Sequence, residues 1–543
     1  MAIRPDLAEL WSNLGLMRYE LHEYPQAREA FRQALGINQS LFVPNLFLGL
    51  ALLEMKRPRE AVLYLLAAEK LNPKDTQAAL ALGRTFHILQ DPARSRQWYQ
   101  RAADLAPQNG EAWYGLGLAY FGLAESAGAQ MANTFARSAY VSELAADAFA
   151  EQGRLAEAIH KYRDLLASNE PLPQCSQTSF GFALLRNGDR SQADRRFQLE
   201  IASCPAARVG EARLSYDAGD REKALAILAE LARSDRESFH QAAPRFWEGL
   251  DAQQIEALLA QIRQSTDDAA VAMAAAIEHR RSPASPPERS LPVLAQLSEH
   301  DLEHFASHSF FSGDFRAAAA ASEQLRRQYP SQPAGLYWAV RGYQELGVAA
   351  LTHAGDVEPD SPRIHALLGD VYQRRKMYPE AREEYSKILE ISPNNIVGLA
   401  GLAAADFAEG KNEEARSTAE KALAQAPADG EINLLMAEIL IAQHEYEKAE
   451  SFLDHSLNAR PDLVPRVHAL RGRVFARTGR SKEAIAELTM GLSSDEDGSV
   501  HYQLGRLYQA SGNAKAAAAA FEESNRIMAK RHALEQEAMT PGR

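Results

Sequence analysis

Residues 362–393, PRIHALLGDVYQRRKMYPEAREEYSKILEISP, hold two helical patterns back to back. In the first, His365, Leu368, Gly369 and Tyr372 recur at spacings of three and four, which puts them on one helix face. Ala381, Tyr385 and Ile388 do the same in the second. Between them Lys376-Met377-Tyr378-Pro379 supplies a turn, with Pro379 suited to the first turn of the second helix. Pro393 ends that helix, because proline has no N–H to donate and clashes with the preceding turn. Gly369 and Ala381 are small enough to let the two helices approach closely. A hairpin of this kind cannot bury its apolar face alone, so it calls for neighbours of the same shape.

The rest of the chain supplies them. Trp11, Leu14, Gly15, Ala27, Phe31 and Ala34 mark a first hairpin. Leu48, Gly49, Ala61, Leu65, Ala68 and Pro73 mark a second, and Leu82, Gly83, Phe86, Tyr99, Ala102 and Pro107 a third. Trp113, Leu116, Gly117 and Tyr120 open a fourth whose turn is missing: residues 122–139 read as helix without a break. Regular units follow around Ala158 and Tyr162, around Gly181 and Phe197, and around Ala212 and Leu228. Near Ser234 the period is lost. Leu250, Ile255, Leu258, Leu259 and Ile262 still form one apolar stripe, and Thr266-Asp267-Asp268 suits the start of a further helix. Four prolines between Arg281 and Pro292 then predict an extended linker. Hairpins resume near Leu297, again include a turnless unit at 333–361, and continue to Phe521. The expected organisation is therefore an N-terminal arm, 1–235, a helical connector with a proline-rich linker, 236–296, and a C-terminal arm, 297–543, closed by a polar capping helix.

A longer repeat underlies the short one. Residues 76–165 align without a gap on 299–388, an offset of 223. Pro107 falls on Pro330, Tyr114 on Tyr337, Tyr120 on Tyr343 and Tyr162 on Tyr385. The turnless unit recurs at the same place in both copies, so it is a built feature. Two shortened helices there would not match full-length neighbours, which predicts a local change of superhelical pitch.

The Leu-Gly, Tyr, Ala, Tyr and Pro positions of residues 362–393 resemble the tetratricopeptide repeat, a helix–turn–helix unit of about 34 residues. The resemblance covers nearly everything outside 236–296. It implies an all-α solenoid of helix–turn–helix repeats in two arms, whose first helices line concave grooves. Carried over position by position, it implies groove residues Leu46, Leu50, Leu53, Tyr114, Leu118 and Phe121 in the first arm. In the second it implies Phe407, Leu434 and Ile441, leading to Arg466, Arg473 and Arg506 with Arg477 alongside. The lysine and asparagine clamp for carboxylates that some members carry is absent, as is the asparagine ladder of the glycosyltransferase-linked arrays. Neither ligand class can be carried over.

Composition narrows the function further. The formal net charge of the 543 residues is −13, which argues against a general nucleic-acid binder. No apolar run approaches the ~18 residues of a membrane span. The N-terminus has no signal-peptide core. As written, the chain is expected to be cytoplasmic, and an upstream export segment would instead make it periplasmic or exported. Cys175 and Cys204 flank one hairpin, near the start of its first helix and the end of its second. A disulfide would fit that placement, but buried free thiols are the ordinary state of such cysteines. His300, His304 and His308 share one helix face within reach of a metal, but no further ligand is assignable, so no metal is expected. No nucleophile elbow, phosphate-binding loop or Cys-x-x-Cys is present. The expected function is a non-catalytic protein–protein interaction scaffold, with no cofactor, binding peptide segments in its grooves. The alternative is the regulatory array of an enzyme or transferase complex whose catalytic part is on another chain. Protein or peptide partners are expected, with weak self-association through the exposed apolar N-terminal end.

Overall fold

The computed structural model describes residues 7–167, 171–247, 250, 252–263, 273–274, 294–374 and 377–539. Among them there are helices and turns and no strand. Two compact units are present. The first gathers Met1–Leu144, Leu165–Phe182 and Ala193–Pro359, the second Ala145–Asp164, Ala183–Gln192 and Asp360–Arg543. Thr266-Asp267-Asp268 and the proline-rich stretch Arg281–Pro292 lie outside the described residues.

The first unit opens with three hairpins, Ala8–Glu20 with Tyr24–Ile37, Phe42–Glu54 with Pro58–Leu71, and Thr76–Ile88 with Pro92–Leu105. Their turns follow from local chemistry. Pro58 and Pro92 start the second helices, where the missing N–H costs nothing. The Asp75, Asp91 and Asn109 side chains accept the backbone N–H of Ala78, Arg94 and Ala112, capping three helix starts.

One packing rule recurs. A large residue stands sixteen positions after a first-helix glycine: Phe31 after Gly15, Leu65 after Gly49, Tyr99 after Gly83, Phe197 after Gly181, Tyr385 after Gly369, Leu488 after Gly472 and Phe521 after Gly505. In each case the side chain fills the space that a Cβ on the glycine would occupy. Tyr99, Phe197 and Tyr385 also press on the glycine of the next hairpin, at Gly115, Gly210 and Gly401. The ring is a spacer between consecutive hairpins, and the glycines leave room for it.

The turnless units depart from expectation. Each is one continuous helix, Gly110–Thr134 of 25 residues and Ala334–Val357 of 24, where two shortened helices were expected. No proline or left-handed residue interrupts either sequence, so nothing ends the first turns of hydrogen bonding. The two helices run antiparallel against each other. The Gly110 N–H donates to Glu358 Oε1 at 2.9 Å. Gly117 faces Leu351 and Gly347, and Phe121 lies against Gly347. The rings of Tyr120 and Tyr343 stack at 6.1 Å. Further along, Gly128 faces Val340. The offset of 223 carries the pair Gly117–Leu351 onto Val340–Gly128, so the duplication seen in the sequence closes on itself as an internal near-two-fold pair. Leu116, Tyr120, Met131, Tyr337, Trp338 and Tyr343 belong to the core it builds.

Beside this pair, Glu143 is fully buried and bonds Ser176 Oγ at 2.6 Å. The Arg341 guanidinium reaches it at 3.7 Å and covers the ring of Phe310. The hairpin Pro205–Asp217 with Arg221–Ser234 leads to Arg236–Ala242, Pro244–Trp247 and Ala252–Ile262. Leu258, Leu259 and Ile262 of the last are buried.

Cys175 and Cys204 are bonded to each other, with Cα atoms 5.6 Å apart. This corrects the expectation of free thiols. Cys175 directly precedes Ser176–Arg186 and Cys204 caps Pro205–Asp217, and the Cα separation is that of a normal disulfide.

The second unit contains five hairpins from residue 362 onward: Pro362–Arg374 with Tyr378–Ile391, Ile396–Ala408 with Asn412–Gln425, Gly430–Ala442 with Tyr446–Ser456, Val464–Arg477 with Ser481–Met490, and Ser499–Ala510 with Ala514–Met539. Its core runs through Ala415, Leu434, Ile439, Leu453, Val474 and Phe475. Along the final helix Arg526, Met528, Lys530 and Arg531 face solvent.

Candidate functional site

The resemblance assigns groove positions to the first helices, and burial shows which of those side chains are open to a ligand. In the first unit two of the six expected groove residues, Leu46 and Leu50, are buried, and the other four are half-buried. Leu46 is 2% exposed and Leu50 8%, both in one core with Phe31, Leu65 and Phe86, and Leu53 packs against that core half-buried. Their side chains offer a ligand little surface. Tyr114, Leu118 and Phe121 are half-buried, and Phe121 rests on Gly347 of the second long helix. Trp113 stacks edge-on with His353 at 4.4 Å. The face read as an open groove wall at Phe121 is thus partly covered by the chain itself.

The second unit keeps a different surface. Leu434 and Ile441 are buried in its core, and Phe407 packs on that core half-buried. Glu438, one turn after Leu434, is largely enclosed, and its Oε1 meets Arg466 at 2.6 Å. Burial raises the Glu438 carboxyl above its ordinary range, against the opposing pull of the Arg466 guanidinium. Arg466 is therefore already engaged. Arg473 and Arg477 follow on the same helix, one turn apart, and both are exposed. Arg506 is exposed on Ser499–Ala510, which packs beside Val464–Arg477. Tyr502, one turn before Arg506, is 50% exposed. Among the described residues none pairs with Arg473, Arg477 or Arg506, whereas Arg471 on the opposite side is held by Glu487 and Asp454. Arg473, Arg477, Arg506 and Tyr502 are thus all exposed, on two helices that pack against each other.

The Arg466–Glu438 pair has a pH signature. Without the guanidinium, Glu438 is a buried carboxyl with its folded pKa raised further. A raised carboxyl adds stability below its unfolded pKa and loses it as pH rises through the folded value. Arg466→Ala should therefore match wild type under acid conditions and fall behind by about 1 kcal/mol at neutral pH, the low end for an unsatisfied buried acceptor because Arg466 is largely exposed. Urea midpoints of both proteins across that range check it, and a deficit independent of pH would assign the loss to packing instead.

The histidine face does not gather. His304 and His308 stack with ring centroids 6.4 Å apart, and the His300 side chain is 91% exposed. Among the described residues the group whose ligand atoms do come together is Cys175, Glu200 and Cys204. Sequence reasoning placed the two cysteines side by side but missed Glu200. Its signal was the spacing Glu200-Ile-Ala-Ser-Cys204, one helical turn.

Four stretches of the chain, 48–110, 362–395, 406–474 and 498–527, match the family described as tetratricopeptide repeat. Over these four stretches the chain carries tetratricopeptide repeats. It is similar in fold to YrrB, described as a TPR protein with an unusual peptide-binding site, at 17% identity over 35% of this chain and 97% of that one, TM-score 0.29. It is similar to a thermophilic TPR protein of Thermus thermophilus at 19% identity over 33% and 97%, TM-score 0.27. A third similar structure is pilF of Pseudomonas aeruginosa, at 14% identity over 43% and 96%, TM-score 0.30. The repeat architecture is that of a protein-interaction scaffold. Among the described residues no helix is long and apolar enough to cross a membrane.

Proposed function

We propose that the chain is a non-catalytic scaffold that holds a peptide segment with an acidic end at Arg473, Arg477 and Arg506. One observation carries this reading: three exposed arginines have no acidic partner among the described residues, in a chain with a net charge of −13. Other arginines of the second unit are neutralised by the chain itself, as at Arg416 with Glu420 and Glu445 or Arg480 with Glu450 and Glu483. A guanidinium left unpaired is available for the forked hydrogen bonds that carboxylates accept. Tyr502 and the exposed edge of Phe407 supply apolar contact for neighbouring side chains, while Leu434 and Ile441 support the groove floor from within.

The test is a library of short peptides with acidic termini and apolar anchors, screened on the full chain. Arg473→Ala with Arg506→Ala should weaken a selected peptide by about 2 kcal/mol if the contacts are shielded and well under 1 kcal/mol if they stay wet. The salt dependence of binding should flatten and the melting temperature should hold. Binding that is unchanged, or lost only together with folding, refutes the site.

A further inference from the structure

The disulfide sits beside a carboxylate that it does not need. The Sγ atoms of Cys175 and Cys204 and a carboxylate oxygen of Glu200 lie within 4.8 Å of one another. Both cysteines are buried, at 4% and 1% exposure. Glu200 is fixed on both sides. Its Oε2 accepts the Thr178 N–H at 2.8 Å and the Thr178 hydroxyl at 2.7 Å, and its carbonyl accepts the Cys204 N–H at 2.8 Å. Among the described residues Oε1 has no hydrogen bond. The two sulfurs stand at the N-terminal ends of Ser176–Arg186 and Pro205–Asp217, where the helix dipoles favour negative charge.

We infer that Cys175, Cys204 and Glu200 form a three-ligand site for a thiophilic divalent cation such as zinc when the disulfide is reduced. A tetrahedral zinc holds sulfur and oxygen ligands about 3.5–3.8 Å apart, which the present cluster reaches by small side-chain movements. The outer partner is in place, since Thr178 orients the carboxylate as hydrogen-bonded second groups do at such sites. The chemistry balances. A dithiol reductant passes two electrons and two protons to the cystine, leaving two protein thiols and its own cyclic disulfide. Zinc then replaces the two thiol protons, which pass to solvent. The fourth position is open to water. The same turn is thereby closed by a covalent bond under oxidising conditions and by an ion under reducing ones.

The experiment uses the full chain and zinc chloride alone. The protein is reduced with a water-soluble phosphine, and its two thiols are counted with a disulfide reagent. Zinc is then titrated against a chromogenic chelator. The reduced chain should take up zinc one to one, and the oxidised chain none. Cobalt in its place should show thiolate-to-metal charge-transfer absorption. Cys175→Ser should abolish uptake, and Glu200→Gln should weaken it by at least about tenfold, with helicity by circular dichroism unchanged. Three results overturn the inference: two free thiols without zinc uptake, equal uptake by Glu200→Gln and wild type, or a disulfide that resists the phosphine in the folded chain. The comparison of oxidised with reduced wild type needs no variant to fold.

Discussion

Gly117→Leu is expected to break the pairing of the two long helices, whereas Gly128→Ala in the same helix is expected to stabilise it. The opposite signs follow from where each glycine sits. A Cβ on Gly117 would stand 2.6 Å from Leu351 Cγ and 3.1 Å from the carbonyl oxygen of Gly347. The first neighbour is a side chain that could rotate. The second is backbone of the partner helix and can retreat only if the helices separate. A leucine side chain there exceeds the ordinary cost of overpacking, about 1–3 kcal/mol, because the whole crossing must open. Stacked Tyr120 and Tyr343 lie one turn away and would part with it. Gly128 is related to this position through the internal repeat, yet its Cβ would meet only Val340 Cγ2 at 3.8 Å, an ordinary contact. Alanine there removes the entropic weakness of a mid-helix glycine, worth about 0.5–1 kcal/mol. Trp113 and Trp338 flank the crossing, so tryptophan fluorescence during urea unfolding reads both variants. If both variants shift the midpoint in the same direction, the crossing is not as tight as described.

The hairpins were legible in the sequence because each repeats a pattern that local physics enforces: a helical apolar period, proline at a helix start, a small residue at the approach. The pairing of the long helices was only half legible. The offset of 223 and the missing turns were visible, but one continuous helix and two short ones share the same apolar period, and periodicity cannot tell them apart. The partner of a face is a tertiary fact. Leu46 and Leu50 illustrate it, because a leucine on a groove position and a leucine in a core give the same letter, and burial decided between them. The arginine positions were legible as exposed, but the capture of Arg466 by Glu438 was not, since the two lie 28 residues apart on different hairpins. The sixteen-residue spacing of glycine and large side chain was present throughout the sequence, and its meaning emerges only once the ring is seen between two glycines.

That arrangement makes Tyr385 the most demanding side chain of the second unit. It is 1% exposed, fills the space before Gly369 and Gly401, and donates its hydroxyl to Asp370 Oδ1 at 2.6 Å. Two kinds of contribution can be separated. Tyr385→Phe keeps the spacer and removes the hydroxyl that donates to the exposed Asp370 carboxylate and, more weakly at 3.3 Å, to Gln373 Oε1, so it should cost about 1 kcal/mol. Tyr385→Ala leaves a cavity between two hairpins and should cost about 3–5 kcal/mol, the range for a buried aromatic. Gly401→Ala should destabilise the wild-type chain by about 1–3 kcal/mol, because its methyl group enters the ring. In the Tyr385→Ala background the ring is gone and the same methyl fills part of the vacated space. Gly401→Ala should then be neutral or stabilising, a coupling of about 1–3 kcal/mol between residues that touch. Urea unfolding of the four proteins of this cycle measures it. Additive effects would mean that Gly401 is small for a reason other than the ring, and that the spacing of these hairpins is set elsewhere.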